Sequence, residues 1–82
     1  MKNPILAARE KLGLSVKEMA LMTKTVEVTV RTNENGDSVK ITPKILNFLV
    51  DQGFDKEQLL KDYEAYKAWK IEEISKKMAQ NR

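Results

Sequence analysis

The sequence predicts an all-α fold that ends in a long helix. Three observations carry this reading. Helix-capping residues stand before apolar stretches at four places: Asn3-Pro4, Ser15 with Glu18, Thr42-Pro43 and Asp55 with Gln58. Gly13 and Gly53 follow two of those stretches, where a helix stops on a residue that accepts the left-handed conformation. Apolar side chains then recur at helical spacing within each stretch.

The elements follow in order. Asn3 caps a first helix with Pro4 at its first position, and Ile5, Leu6, Ala8 and Leu12 give its apolar face. Leu14-Ser15-Val16-Lys17-Glu18 restarts a helix through an S-x-x-E capping box, which continues through Met19, Ala20 and Met22 to about Thr23. After Thr42-Pro43, the residues Ile45, Leu46, Phe48, Leu49 and Val50 form a broad apolar face that stops at Gly53. Asp55 and Gln58 open a last helix from Lys56 to about Ala79.

Residues 24–42 are open to two readings. Val26, Val28 and Val30 alternate with Glu27, Thr29 and Arg31, five of the six residues Thr25–Val30 are β-branched, and Asn35-Gly36 is a strong turn dipeptide followed by Val39 and Ile41. Taken locally, this stretch is a β-hairpin and the fold α+β.

Composition narrows the function. A chain of 82 residues with 41% hydrophobic and 33% charged residues fits one small globular domain. With no cysteine and no histidine, disulfides, thiol nucleophiles, Cys/His zinc sites and a Ser-His-Asp triad are excluded. Glu72-Glu73 are adjacent and point to different sides of a helix, and Asn33-Glu34-Asn35-Gly36-Asp37 lacks the spacing and terminal Glu of a calcium loop. A non-enzyme without cofactor or small-molecule ligand is expected. The best apolar run near the start, Ile5-Leu6-Ala7-Ala8, is too short for a signal peptide or membrane span, so a cytoplasmic location is expected. The net charge of +3 lies wholly in residues 1–44, which carry eight Lys/Arg against five Asp/Glu, while residues 45–82 carry seven of each. The first half is therefore the part suited to a polyanion.

From Leu14 onward the chain resembles the helix-turn-helix domain of lambda-repressor-like and Cro-like (XRE) transcription regulators. Leu14-Ser15, Glu18-Met19-Ala20 and Glu34-Asn35-Gly36 stand at the family spacing, with Val30 at a position the family fills with Ile or Val. Arg9-Glu10-Lys11-Leu12-Gly13 is similar to the end of the family's first helix, and Pro43, Leu46 and Leu49 are similar to its fourth, so the resemblance covers roughly residues 5–60. It implies that the ambiguous stretch is a third, recognition helix at about 26–33, making five helices. The departures are Lys24 at the usual turn glycine, Thr23 and Thr25 at usually apolar positions, Val26 at the usual Ser/Thr cap, and Asn33 at a usual apolar anchor.

The resemblance implies a sequence-specific, double-stranded DNA-binding regulator of bacterial or phage type. Residues 1–55 would be the DNA-binding domain and 56–82 an amphipathic helix for packing or dimerisation. The base-reading set is then Val26, Glu27, Val28, Arg31 and Thr32, with Arg31 able to grip guanine and Glu27 able to accept from cytosine. Lys17, Lys24, Thr25, Asn35 and Lys40 are the candidate phosphate contacts. In the bland reading Glu27 and Arg31 are simply an exposed i,i+4 pair. Tyr66, Trp69, Ile71, Ile74 and Met78 are the candidate dimerisation residues, with a homodimer as the expected assembly. The alternative function is a protein-interaction adaptor or antirepressor that no longer binds DNA, which the polar Thr23, Thr25 and Asn33, the Glu27 in the reading face and the modest charge would suit.

Overall fold

The computed structural model describes residues 1–81 and contains five helices: α1 Pro4–Leu12, α2 Val16–Thr23, α3 Glu27–Glu34, α4 Pro43–Asp51 and α5 Lys56–Gln80. The all-α reading holds. No strand occurs among the described residues, so the β-hairpin alternative at 24–42 is corrected.

Tertiary burial decides that stretch against local propensity. Within α3 only Val30 of the valines enters the core, and Val30, Asn33 and Glu34 are buried together on one helical face. A strand would have turned Val26, Val28 and Val30 to the same side, whereas Val26 and Val28 are exposed. Asn35-Gly36 ends the helix instead of turning a hairpin. Gly36 has φ 73°, its N–H donates to the Asn33 carbonyl, and the Asp37 N–H reaches back to the Thr32 carbonyl. That paired pattern is a Schellman stop, which asks for the same positive φ as a hairpin turn.

Two of the four caps form as read. Asn3 Oδ1 accepts from the Ile5 and Leu6 amides, and Ser15 and Glu18 complete the reciprocal box. Two differ. Asp55 accepts from the Gln58 amide, but the Gln58 side chain turns away to donate to Asp62, so that box is half made. Thr42 makes no cap bond, because its hydroxyl accepts from Asn33 Nδ2.

One core joins all five helices: Ile5 and Ala8 of α1, Met19 and Ala20 of α2, Val30 of α3, Ile45, Leu46 and Leu49 of α4, and Leu59 and Tyr63 of α5, with Ile41 from the α3–α4 loop. Helix α5 thus supplies Leu59 and Tyr63 to the core, keeps Tyr66, Lys67 and Lys70 half-buried, and then runs on, every residue from Ile71 to Gln80 being exposed. The molecule is 45 Å long but only 24 by 20 Å across, in keeping with a 25-residue helix of roughly 37 Å. Among the described residues no helix is long and apolar enough to cross a membrane.

Candidate nucleic-acid interface

The site is built from the way α2 stops and α3 starts. At the end of α2 the Lys24 N–H donates to the Leu21 carbonyl and the Thr25 N–H to the Ala20 carbonyl, again the Schellman pattern. Lys24 sits in the left-handed region at φ 57°, alone among the non-glycine residues described. Thr23 is buried, donates to the Met19 carbonyl at 2.8 Å, and lies 2.8 Å from the Thr25 hydroxyl. Both threonines therefore fit apolar-looking positions by bonding locally. Small Ala20 is buried in the core together with Met19 and Val30, where α2 packs on α3.

Helix α3 then shows two faces. Val30, Asn33 and Glu34 face inward, and Glu27, Val28, Arg31 and Thr32 face outward by the helical period. Asn33 holds the inner face by hydrogen bonds where an apolar anchor was expected. Its Nδ2 donates to Thr29 O and Thr42 Oγ1 at 2.8 Å, its Oδ1 accepts from the Thr42 amide at 2.8 Å, and its own carbonyl accepts from Asn3 Nδ2 at 3.0 Å. Glu34 pairs with Arg9 of α1, which also donates to the Leu14 carbonyl at 2.9 Å. That carboxylate pushes the Arg9 pKa up, as first cause, beyond its ordinary high value.

On the outer face, Arg31 lies 3.5 Å from Glu27, the i,i+4 pair of the bland reading, and both stay exposed. Val28 is 66% exposed, and Thr32 donates its hydroxyl proton to the Val28 carbonyl. Val26 is the residue before the helix and provides no side-chain cap. Among the described residues, no acceptor meets the Glu27 and Val28 amides, so the positive end of α3 is open to solvent.

The cationic candidates divide into three places. Lys17 lines a shallow hollow with Leu21, Thr25, Val26 and Glu27, directly beside the start of α3. Lys24 stands at the turn itself. Asn35 lies at the far end of α3, where its carbonyl accepts from Lys70. Lys40 lines a separate groove with Pro43, Leu46, Lys56 and Leu60. The structure therefore gathers Lys17, Lys24 and Thr25 but leaves Asn35 and Lys40 apart from them.

Three contributions were not read from the sequence. Lys44, in the first turn of α4, reaches to 3.5 Å from the Lys24 carbonyl and adds a cation beside the turn; its place behind Thr42-Pro43 was the available signal. The Arg9–Glu34 pair had none, the two being far apart in sequence. Lys67 and Lys70 bind the carbonyls of Ser38, Val39 and Asn35, and so strap the α3–α4 loop to α5. Tyr63 joins them through its hydroxyl, 2.6 Å from Ser38 O, and burial of that phenol pushes its pKa up.

The five candidate dimerisation residues do not share one face. Tyr66 packs on Gly36 of its own chain, so closely that a Cβ there would sit 2.8 Å from the ring. Trp69 leans on Tyr66 with ring centroids 5.8 Å apart and points nearly opposite to Ile71, Ile74 and Met78 by the helical period. Only those last three form a continuous exposed stripe.

No family model, curated protein or solved structure matches this chain.

Proposed function

We propose that the chain is a sequence-reading, double-stranded DNA-binding regulator of helix-turn-helix type, with α2 crossing the phosphate backbone and α3 lying in the major groove. The observation that carries this is the bare outer face of α3, held rigidly from behind by Val30, Asn33 and Glu34 and introduced by a tight turn at Lys24. Lys17, Lys24 and Lys44 surround the entrance of that helix, where phosphates would fix register without reading sequence. Val26, Glu27, Val28, Arg31 and Thr32 would meet base edges, the valines through a thymine methyl. Arg31 must leave Glu27 to grip a guanine. An exposed pair of this kind is worth only about 0.3–0.5 kcal/mol, so the exchange is easy. A regulator of this kind works in the cytoplasm and needs no cofactor.

One observation favours a second reading, the protein-interaction adaptor. Leu21 and Met22 at the end of α2 and Val26 and Val28 at the start of α3 are all more than half exposed, an apolar group that a protein surface would cover well.

Amide chemical-shift mapping at low salt separates the two. Perturbations at Lys17, Lys24, Val28, Arg31 and Lys44 on adding a mixed-sequence duplex, fading as salt is added, support DNA reading. An unperturbed, folded spectrum moves the assignment to the adaptor.

A further inference from the structure

We propose that Lys67 and Lys70 of α5 are positioning residues for DNA reading: they touch no part of the duplex, but they fix the C-terminal end of α3 and with it the aim of Arg31 and Thr32. The inference rests on the DNA-binding reading and adds to it an element, α5, that lies outside the α2–α3 corner.

The exit from α3 does not hold itself. The last carbonyls of a helix have no partner within it, and residues 38–41 make no backbone–backbone hydrogen bond. Side chains of α5 take up the carbonyls instead. Lys70 Nζ donates to Asn35 O just after the last turn of α3, where a cation also suits the negative end of the helix. Lys67 Nζ donates to Ser38 O and Val39 O, both at 3.1 Å, and the Tyr63 hydroxyl donates to Ser38 O at 2.6 Å. Tyr66 closes the joint, since its ring leaves no room for a Cβ on Gly36.

Both ammoniums are engaged. Besides their carbonyl bonds, they lie 5.8 and 5.9 Å from the centres of the Tyr63 and Tyr66 rings. Asp37, 3.7 Å from Lys70, offsets the charge at that corner. To meet a phosphate, each lysine would have to leave these partners and release the loop.

What the strap controls is the tilt of α3. Val30 seats the middle of the helix in the core, Asn33 ties it to Thr42, and Glu34 ties it to Arg9 of α1. All three holds lie on the inner face. Lys70 adds a fourth, past the last turn. The Asn35 amide in turn donates to the Arg31 carbonyl at 2.8 Å, so a displacement of Asn35 passes directly to the residue that would grip guanine.

Fluorescence anisotropy on two duplexes tests this: one recovered by the full chain from a random-sequence library, the other of the same composition in scrambled order. Lys67→Met combined with Lys70→Met keeps apolar stems against the tyrosine rings and removes both ammoniums. Ile41 and Tyr63 stay in the core, so this variant is expected to fold, and Lys70→Met alone carries the same comparison at smaller amplitude. The double variant is expected to lower the preference for the recovered duplex roughly tenfold, the loss of one misaimed base contact. On the scrambled duplex its slope of log K against log salt is expected to match the parent's. Lys67→Arg with Lys70→Arg, which keeps charged donors, is expected to retain most of the preference. Three results overturn the proposal and leave DNA reading standing. They are an undiminished preference in the methionine variant, an equal loss on both duplexes as from a purely structural role, and a slope reduced by about one per lysine, the mark of phosphate contacts. A parent chain that binds neither duplex overturns both readings together.

Discussion

Arg9 and Glu34 form a two-pronged ion pair across the molecule, Nε to Oε2 at 2.6 Å and Nη2 to Oε1 at 3.0 Å, tying α1 to the last turn of α3. Both side chains are largely out of water, with 16% and 8% of their surface exposed. Removing one partner leaves the other charge buried and unpaired. Glu34→Ala is expected to lower stability by about 3 kcal/mol, a large share of what a domain of this size has. Urea unfolding reads the loss. Arg9→Met combined with Glu34→Leu is expected to recover much of it, because no stranded charge remains.

Lys24 offers the opposite change. Three other helices end with the same paired hydrogen bonds on Gly13, Gly36 and Gly53, and only α2 uses a side-chain-bearing residue at that place. The left-handed conformation strains Lys24, and Lys24→Gly is expected to add about 0.5–1 kcal/mol after the extra chain entropy of glycine is deducted. A rise of roughly 3–6 °C in melting temperature would register it. An unchanged or lower melting temperature would mean that the lysine side chain compensates for its strain.

Asn33 is the polar hinge-pin of α3 and α4. Asn33→Ala removes three side-chain hydrogen bonds and leaves the Thr42 amide without its acceptor, so a loss of about 2–4 kcal/mol is expected in thermal or urea unfolding. Asn33→Leu restores apolar contact but not the acceptor, and it is expected to fall between the alanine variant and the parent.

These residues mark what the sequence could and could not reveal. Caps and stops were legible because each acts within four residues: Asn3 on Ile5, Ser15 with Glu18, Gly13 after Leu12. Helix α3 was not legible from its own residues. Its β-branched run and its Asn-Gly end suit a hairpin equally well, and burial of Val30, Asn33 and Glu34 against distant helices settles it. Polar Thr23 and Asn33 looked like defects in an apolar pattern, yet each finds its partners in carbonyls and hydroxyls that only the fold supplies. At the candidate site, Lys17, Lys24 and Thr25 are neighbours through the short α2–α3 turn and were readable from spacing. Lys40 lies in a separate groove, because the loop that carries it is strapped to α5 by Lys67, Lys70 and Tyr63, and no short-range signal in the sequence gives that placement.

Glu18 gives a pH signature. Its carboxylate accepts from the Ser15 backbone amide at 2.8 Å, and that bond, with a further one from the Ser15 side chain, holds its pKa below the usual carboxylate value. A depressed folded-state pKa means stability that is present above the unfolded value of 4.5 and lost as pH falls through the folded one. Glu18→Gln keeps an acceptor without a titrating group. The stability difference between parent and Glu18→Gln is therefore expected to shrink as pH drops below 4.5 and to stay constant above about pH 6. Denaturant melts at stepped pH values check this.

The most direct test of DNA reading is the salt dependence of affinity for a labelled duplex, followed by fluorescence anisotropy. With Lys17, Lys24 and Lys44 displacing counterions, log K against log salt is expected to fall with a slope of about −3. Lys17→Ala is expected to reduce that slope by about one while leaving the helical signal intact. A folded protein that fails to bind at low salt, or binds with an affinity indifferent to salt and to Lys17→Ala, would contradict a nucleic-acid role for the α2–α3 corner.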